Sequence, residues 1–511
     1  MRLLNLFKLI AICSLYNLGK AANILGVFPI PSKSHDILGS TLCKHLSNLG
    51  HNVTYISPFL HESQKDFHHI YVKEIETIRV DHMKQITQGK DSTLGTMLRL
   101  IKLIDISDLI FNNPEVQQLI NSKSVLKFDL LIHFMGMDST LALAHHFDVP
   151  IIIFSPIGGF PHINNLVVNP TPFSYVPNAL LPFTENMNFM ERTINTAVTL
   201  MFPLHEAIMN WISDKSLEKY LPGSLPMQEI KKRIELVLGN THISTESPRP
   251  YVPNMIQIGG FHLHNPKPVD EALKNVLDEA KEGFIYFSFG TNVNVKELGE
   301  NVMDIFRKVL GNLPLKIIMK YEDDFMENKP DNFYLEKWFP QPAVLAHPNA
   351  KLFITHGGYG GCTESLYYGV PMVCIPFFGD QFKNCADAEI NGYSITVKLN
   401  ELSEKSFSEG LNKVLYDEQF QEAVKFKSEM YRDQPMHPMD KAVYWIEHVL
   451  KHKGAKHLKI KGADLPWYQY LLVDVFLFLG FVILIACFIS ICIMKFLFRK
   501  LFGAKNKIKV N

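Results

Sequence analysis

The feature that most constrains the fold is an alternation of short apolar segments with segments of helical periodicity, which occurs twice along the chain. Residues 24–28 are apolar and end at a Pro/Ser loop, and leucines at helical spacing then predict a helix over residues 35–48. The apolar segment NVTYIS follows, and the same order returns within residues 128–156 and again from residue 284 onward. Buried apolar strands separated by helices are typical of parallel sheets covered on both faces. The sequence therefore predicts an α/β chain with two doubly wound halves that face each other across a cleft.

The composition agrees with a large globular chain. It has 511 residues, 47% of them hydrophobic, which is enough for two or three domains. The formal net charge is zero, so no basic surface argues for a nucleic-acid partner. The cysteines are too few and too scattered for a disulfide framework. The one glycosylation sequon, Asn52-Val-Thr54, lies on an expected buried strand, so we expect Asn52 to be unmodified.

Both ends of the chain carry membrane-related signals. Residues 1–22 contain Arg2, a mostly apolar run and small residues at the end, which is typical of a cleaved signal peptide. A first buried strand or helix is the alternative for that segment. Residues 475–494 contain no charge, so we predict a transmembrane helix over residues 471–494. Six positive residues follow and belong on the cytosolic side: Lys495, Arg499, Lys500, Lys505, Lys507 and Lys509.

The two terminal signals agree on a single-pass type I topology, with the large N-terminal part lumenal or extracellular. The last five residues, KIKVN, place lysines at the third and fifth positions from the end. This resembles the dilysine signal that returns type I proteins to the endoplasmic reticulum, and ordinary stop-transfer charges are the alternative. We therefore expect an endoplasmic-reticulum membrane protein with lumenal domains and a short basic tail over residues 495–511.

A glycine-rich segment, FITHGGYGGCTES, carries the most specific chemical signal. A strand is expected to end at Thr355, and a helix to begin near Tyr359 or Gly360. The glycines between them let the backbone approach a ligand, and a helix N-terminus presents free N–H groups to an anion. The segment matches neither the Walker loop nor the dinucleotide fingerprint. It predicts a diphosphate site, with a plain tight turn as the alternative.

Five side chains around this segment suit a nucleotide sugar. Glu364 falls in the first turns of the expected helix, where its carboxylate can accept hydrogen bonds from ribose hydroxyls. Asp380 and Gln381 follow the next strand and offer a carboxylate and an amide to the hydroxyl groups of a sugar. Upstream, Trp338 presents a flat face for a base, and Gln341 an amide for the edge of that base.

Residues 353–381 resemble the signature of the UDP-glycosyltransferases. The matching residues are His356, Gly358, Gly361, Glu364, Pro371, Pro376, Asp380 and Gln381. The resemblance extends from about residue 23 to the tail and is strongest to the membrane-bound animal members, those of insects in particular. It implies the GT-B fold, in which two Rossmann-like domains enclose a cleft. It also implies an inverting, metal-independent reaction with no cofactor, since the UDP-sugar is a co-substrate.

The resemblance further implies roles for residues on the donor side. Uracil would contact Trp338 and Gln341, ribose Glu364, and the sugar Asp380 and Gln381. The residues assigned in this way to the diphosphate are Ser288, Gly290, His356, Gly358, Gly360 and Gly361. Lys320 is a departure, because many relatives carry Arg at that position.

The opposite wall of the cleft needs a base that removes the proton of an acceptor hydroxyl. His35 lies at the junction of the first strand and its helix, where the helix N-terminus disfavours the imidazolium. The UDP-glycosyltransferases place their catalytic histidine in the same position, with an acid behind it. The position of that acid matches Phe134 best in this sequence. Asp138, four residues on, either serves instead or is a helix N-cap. The candidate catalytic residues are thus His35 and Asp138, without a metal-ligating set.

The resemblance implies transfer of a sugar, glucose in preference to glucuronate, from a UDP-sugar to a hydroxyl of a small lipophilic acceptor. Detoxification or the conjugation of hormones and metabolites is the expected role. A catalytically degenerate membrane protein that binds UDP-sugar or a lipophile is the alternative. An insertion rich in Met and Phe is expected to line the acceptor pocket, with core packing as the alternative: Met187, Phe189, Met190, Met201, Phe202, Met209 and Trp211.

The predicted organisation has six parts. They are a signal peptide (residues 1–22), an acceptor-binding Rossmann-like domain (23–250), a linker (251–268), a UDP-sugar-binding Rossmann-like domain (269–464), a transmembrane helix (471–494) and a cytosolic tail (495–511). Homo- or hetero-oligomerisation is left open by the sequence.

Overall fold

The computed structural model describes residues 21–76, 104–263, 266 and 268–502, which divide into two units at residue 458. Almost all of the predicted signal peptide and the last three lysines of the tail lie outside the described residues. The two units are described separately below, beginning with the larger one.

Seven strands form the first sheet: β1 (Asn23–Val27), β2 (Asn52–Ser57), β3 (Phe67–Tyr71), β4 (Leu130–Phe134), β5 (Ile151–Ser155), β6 (Ile234–Gly239) and β7 (Met255–Gln257). All of them are parallel, in the order β3-β2-β1-β4-β5-β6-β7. In register, Ile24 of β1 lies beside Val53 of β2 and Leu130 of β4. The strand order therefore reverses between β1 and β4, and doubly wound sheets bind ligands at the carboxyl edge of such a switch point.

Eight helices accompany this sheet among the described residues: α1 (Lys33–Asn48), α2 (Ile104–Asn112), α3 (Pro114–Asn121), α4 (Ala142–Phe147), α5 (Pro161–Val167), α6 (Phe189–Leu200), α7 (Phe202–Tyr220) and α8 (Met227–Lys231). The helix α1 confirms the predicted one to within two residues. It buries Leu38, Leu42 and Leu46 against the sheet, and the chain turns after it at Gly50, whose φ is +95°.

The second sheet repeats the same design with six strands: β8 (Phe284–Ser288), β9 (Lys316–Lys320), β10 (Phe333–Glu336), β11 (Ala350–Thr355), β12 (Met372–Cys374) and β13 (Ser394–Thr396). They are parallel in the order β10-β9-β8-β11-β12-β13, so the order reverses between β8 and β11. The strands predicted in this half are all present, and the α/β, doubly wound fold is confirmed.

The helices around the second sheet are α9 (Glu271–Glu279), α10 (Glu300–Gly311), α11 (Gln341–Leu345), α12 (Tyr359–Tyr368), α13 (Gln381–Ile390), α14 (Glu404–Tyr416) and α15 (Glu418–Arg432). Apolar residues on both faces of the sheet are buried under them in two clusters. This two-faced burial explains why the strands are continuous apolar segments rather than alternating ones.

The last helix of the larger unit, α16 (Pro438–His452), returns to the first half of the chain. Its Met439, Ala442 and Ile446 are buried in the same core as Ile24 and Phe28. The sequence predicts one domain over residues 269–464, which includes this helix, whereas the structure packs the helix in the core of the first half. The predicted linker also differs, since its residues 255–257 form the edge strand β7 of the first sheet.

Two smaller sequence expectations can be compared with the structure. The described cysteines are free, and Cys43, Cys362, Cys374 and Cys385 are buried, as expected for a chain without a disulfide framework. Asn52, in contrast, is exposed at the start of β2, where its Nδ2 donates to Oδ1 of Asn23 at 3.2 Å. The burial that was the reason for expecting Asn52 to be unmodified is therefore absent.

The smaller unit contains α17 (Trp467–Tyr470) and α18 (Val473–Phe502). The helix α18 has 30 residues, exposes its apolar side chains and is long and apolar enough to cross a membrane. It fits the predicted membrane anchor and continues past the predicted end at Met494 to Phe502.

Candidate active site

One cavity of about 630 Å³ lies between the two sheets and collects every residue predicted for the site. The thirteen residues are His35, Asp138, Ser288, Gly290, Trp338, Gln341, His356, Gly358, Gly360, Gly361, Glu364, Asp380 and Gln381. They come from the segments that follow β1 and β4 in one sheet and β8, β10, β11 and β12 in the other. Both switch points therefore open into a single space large enough for small-molecule ligands.

On the second-sheet wall, the ring of His356 lies between two glycines. A Cβ at Gly290 would lie 2.6 Å from Cε1 of His356, and a Cβ at Gly358 would lie 2.5 Å from its Nε2. Gly290 also has a φ of +72°, which side chains rarely adopt. Burial, with a smaller effect from Lys320, lowers the pKa of His356 to about 4. This imidazole is therefore neutral near pH 7 and can donate one ring N–H into the site.

Directly after His356, the N-terminus of α12 forms an anion cradle at the cavity. Gly357 turns the chain with a φ of +79°, and Gly358 is the N-cap of the ten-residue helix. No side chain caps this end, so the first N–H groups of the helix are available to a ligand. Lys320, at the end of β9, also lines the cavity and pairs with Glu322 at 2.5 Å. Helix dipole and lysine together make this wall suitable for a diphosphate.

The residues predicted for the nucleoside lie at the edge of the same wall. Gln341 begins α11, and its Nε2 donates to Oε2 of Glu364 in α12 at 2.6 Å. His262 approaches the other carboxylate oxygen of Glu364 at 3.8 Å. Trp338 is 54% exposed and lines the cavity, so its indole is accessible to a base. The structure thus brings Trp338, Gln341 and Glu364 together as predicted, with the last two already hydrogen-bonded to each other.

The pair Asp380–Gln381 lies at the start of α13, below the cradle. Oε1 of Gln381 accepts from the N–H groups of Phe377 at 2.8 Å and Phe378 at 3.1 Å, so the amide oxygen holds the preceding loop. Asp380 accepts from Nδ2 of Asn384 at 2.7 Å, and burial raises the pKa of its carboxyl. Its second carboxylate oxygen remains available to the hydroxyl groups of a ligand.

On the first-sheet wall, His35 lies in the first turn of α1. Its ring packs against that of Phe134, with centroids 5.0 Å apart and planes at 32°. Its Nδ1 is buried and has no hydrogen-bond partner among the described residues. Burial alone lowers the pKa of His35 to about 4, so the ring is neutral near pH 7.

Asp138, the predicted partner of His35, contacts other charged residues in the structure. Asp138 lies in a 3₁₀ turn after β4, where its carboxylate is 2.6 Å from Nζ of Lys231 and 3.5 Å from Nε2 of His162. Lys231 also contacts Glu206 at 3.2 Å. These charges hold the pKa of Asp138 well below its usual value, against the opposing effect of burial. Asp138 lines the cavity within this ion-pair cluster, and it does not hydrogen-bond to Nδ1 of His35, so its partnership with His35 stays a prediction.

The sequence did not predict two histidines of the first-sheet wall, and it predicted several cavity residues that do not line the cavity. His162 and His205 line the cavity near Asp138, and no spacing in the sequence connects them with it. Of the Met- and Phe-rich set, only Phe202 and Met209 line the cavity. Met187 is buried elsewhere, whereas the remaining four are exposed: Phe189, Met190, Met201 and Trp211. Phe202 and Met209 are seven residues apart on one face of α7, which explains why these two reach the cavity.

A family model described as "UDP-glucoronosyl and UDP-glucosyl transferase" matches residues 38–508 of the chain. The chain belongs to the UDP-glycosyltransferase family. The match includes the second sheet, α18 and all of the first sheet except β1, and the 35% identical relative extends the likeness to 94% of the chain. This UDP-glycosyltransferase carries the family signature at the cradle described above, in residues 353–381.

Named relatives and a solved structure agree with this assignment. The UDP-glycosyltransferase is 35% identical over 498 residues to "UDP-glycosyltransferase UGT4" of Dactylopius coccus, covering 94% of this chain and 95% of that protein. It is 32% identical over 508 residues to "UDP-glucosyltransferase 2" of Dactylopius coccus, covering 97% of both chains. The structure of "Spinosyn Forosaminyltransferase SpnP" is similar with a TM-score of 0.54 and 14% identity, over 84% of this chain and 99% of that chain. The last likeness confirms the GT-B fold.

Proposed function

We propose that this UDP-glycosyltransferase transfers glucose from UDP-glucose to a hydroxyl of a small lipophilic acceptor, inverting the anomeric carbon without a metal ion or other cofactor. The observation that carries the proposal is the pairing of the two cavity walls. One wall presents the anion cradle at α12, and the other presents the neutral imidazole of His35. A donor held on the first wall and an acceptor held on the second would meet across the cavity, which is what a displacement at one carbon requires.

On the donor side, we assign the diphosphate to the N-terminus of α12, His356 and Lys320. These groups supply N–H donors and positive charge at one place, which is how a protein can stabilise a leaving diphosphate. The Gln341–Glu364 pair would bind the base edge and the ribose, beside the accessible indole of Trp338. The hexose would then contact Asp380 and Gln381, which line the same cavity.

In the reaction, the acceptor oxygen forms a bond to the anomeric carbon while the bond from that carbon to the diphosphate breaks. The electron pair of the broken bond leaves with UDP, and the proton of the acceptor hydroxyl passes to His35. Because burial lowers the pKa of His35 to about 4, its ring is neutral near pH 7 and able to accept. The N-terminus of α12 would stabilise the charge that grows on the diphosphate.

The acceptor side of the cavity supports a lipophilic substrate. Its lining includes the aromatic side chains of Phe134, Phe160 and Phe202 together with Met209. Glucose is favoured as the donor sugar by the relationship to a protein named as a UDP-glucosyltransferase, at 32% identity over nearly the whole chain. Apolar lining and a soft methionine are suited to acceptors of varied shape.

We place the enzyme in the endoplasmic-reticulum membrane, with the two sheets in the lumen and α18 as a single type I anchor. The support is the length and apolarity of α18 and the basic residues Lys495, Arg499 and Lys500 near its end. Acceptors that partition into lipid would reach such an enzyme readily, which agrees with a role in detoxification or in conjugation of hormones and metabolites.

Microsomes that carry the full-length chain test the proposal when radiolabelled UDP-glucose and UDP-glucuronate are offered with a panel of phenols and steroids. Formation of a glucoside together with UDP is expected. Faster transfer of glucuronate would overturn the assignment of the donor, and binding of either donor without release of UDP would overturn the enzymatic function.

The base is tested by His35→Ala, with His45→Ala as the matched control in the last turn of the same helix, outside the cavity lining. Loss of the base is expected to lower kcat by about 100-fold or more and to leave UDP affinity unchanged. His45→Ala should retain the activity of the unmodified chain. Turnover at a normal rate in His35→Ala would show that another group removes the proton.

A further inference from the structure

The imidazole of His35 has an apolar neighbour where a catalytic histidine usually has an acid. Nδ1 of His35 is buried without a partner among the described residues, and the ring of Phe134 packs against the imidazole with the two ring centroids 5.0 Å apart. Phe134 is only 2% exposed and packs against Phe28 at 6.0 Å and Phe154 at 6.2 Å. The core therefore fixes this ring beside the histidine.

Two carboxylates could be partners of His35, Asp36 beside it in α1 and Asp138 in the same cavity, and both have other partners. Asp36 accepts from Nε2 of His61 at 3.0 Å, from Nζ of Lys33 at 3.1 Å and from the hydroxyl of Tyr55 at 3.1 Å. Asp138 is held by Lys231 and His162. Neither carboxylate hydrogen-bonds to Nδ1 of His35.

An unpartnered imidazole is a weak base in the transition state. When Nε2 takes a proton, the hydrogen on Nδ1 points into an apolar surrounding and the positive charge of the ring has no carboxylate to stabilise it. Complete proton transfer is therefore costly. A weak base remains adequate when the acceptor hydroxyl is itself acidic, because little proton transfer is then needed as the new bond forms.

We propose that this enzyme selects acceptors by the acidity of their hydroxyl and conjugates phenols far better than aliphatic alcohols. The inference rests on the proposed function, in which His35 faces the acceptor. The phenol oxygen bonds to the anomeric carbon, the carbon–diphosphate bond breaks with its electrons going to UDP, and the phenolic proton goes to Nε2 of His35. A phenol that binds as phenolate has already lost that proton to water.

The acceptor wall also suits an aromatic ring. Phe160 and Phe202 meet edge to face with centroids 5.4 Å apart, and both line the cavity with Phe134. Aromatic rings pack well against such edge-to-face groups. Two independent properties of a phenol, its acidity and its flat apolar ring, thus match the same wall.

The first test compares the rates of phenols and alcohols with the unmodified full-length enzyme. In microsomes at one fixed pH and saturating donor, kcat/KM is measured for substituted phenols from 4-nitrophenol to 4-methoxyphenol and for benzyl and cyclohexylmethyl alcohols of similar size. The phenols are expected to exceed the alcohols by about 100-fold or more, within the range that a general base contributes. Alcohols that react within about threefold of phenols of matched size would overturn the selectivity.

Two substitutions then test the cause. Phe134→Glu introduces a carboxylate beside Nδ1 and should raise kcat/KM for the alcohols about 10-fold or more relative to the phenols. Phe134→Leu keeps the position apolar and should keep the original ratio of phenol to alcohol. A change in packing alone would change kcat/KM for phenols and alcohols by the same factor. If Phe134→Glu folds, as judged by its UDP affinity, and leaves the ratio unchanged, Phe134 is not the cause.

The proposed function and this inference fail in different ways. An absence of transfer to every acceptor from a panel of UDP-sugars would overturn both. Transfer to phenols and alcohols alike would leave the glycosyltransferase function in place and overturn only the selectivity for acidic hydroxyls.

Discussion

Gln341 donates a hydrogen bond of 2.6 Å from Nε2 to Oε2 of Glu364, and so links the start of α11 to the second turn of α12. The two residues were predicted to bind different parts of one nucleoside, and the structure shows them acting on each other. Each therefore restricts the rotamer of its neighbour before a ligand is considered, which reduces the entropy lost on binding.

A double-mutant cycle measures this coupling. Gln341→Ala and Glu364→Ala should each weaken UDP binding, because each removes a ligand contact and the support of its partner. Together they should lose less than the sum of the single losses, with a coupling energy of about 1 kcal/mol. Isothermal titration of the four proteins with UDP gives the values. Strictly additive losses would show that the hydrogen bond does not organise the site.

The glycines around His356 provide a second prediction. Gly358→Ala places a Cβ 2.5 Å from Nε2 of His356, so the ring or the backbone has to shift. A fall in UDP affinity of about 10-fold or more is expected from such a displacement at the diphosphate cradle. Gly360→Ala is the control for stability, because a Cβ there meets open space and alanine favours a helix. Its melting temperature should equal or exceed that of the unmodified chain, and a large loss there would contradict the described geometry.

The buried ion-pair cluster around Asp138 provides a third prediction. Lys231→Met removes the cation that lies 2.6 Å from Asp138 and 3.2 Å from Glu206. Unfolding free energy should fall by about 3 kcal/mol, since the buried carboxylate of Asp138 and the partly buried one of Glu206 lose this partner. The neighbouring Lys232→Met removes an exposed pair with Glu229 and should cost less than about 1 kcal/mol. Denaturant unfolding in detergent distinguishes them, and equal losses would mean that the cluster does not stabilise the fold.

Buried histidines make the fold sensitive to acid. Burial lowers the pKa of His133 to about 4, and His69 and His242 are shifted to the same value mainly by burial. Their unfolded pKa lies near 6.5, so between these values the unfolded chain binds more protons than the folded one. Stability is therefore full above about pH 6.5 and decreases as the pH falls toward 4.

The measurement is the urea midpoint at pH 7.5 and at pH 5, which should be lower at pH 5. His133→Gln removes one of these titrations and should reduce the difference, even if it lowers stability at both pH values by losing the 2.6 Å contact with Oγ1 of Thr140. A midpoint that stays constant over this range would contradict the neutral, buried state of these histidines.

The donor wall could be predicted from the sequence because most of it lies in one continuous segment. From His356 to Gln381 the residues follow one another through a strand end, a turn, a helix and the next strand, so their spacing along the chain determines their positions in space. The strands were equally accessible, because burial on both faces makes them uniformly apolar.

The acceptor wall could not be predicted in the same way, because distant segments assemble it. Nothing in the sequence around Lys231 shows that it pairs with Asp138, and the sequence likewise does not show that Nδ1 of His35 has no hydrogen-bond partner among the described residues. Composition was also insufficient for the Met- and Phe-rich insertion. The orientation of α7 places Phe202 in the cavity and Trp211 in solvent, and that orientation depends on tertiary packing.

The return of α16 to the first core has a consequence for biosynthesis. The N-terminal half cannot close its apolar core until Met439, Ala442 and Ile446 have been made, although its own strands were completed almost two hundred residues earlier in the order of synthesis. A ribosome that stops early therefore releases a chain whose first half still exposes an apolar groove. The core is complete only when the chain has been translated as far as α16. A shorter chain would expose the groove that α16 fills, and chaperones could bind there.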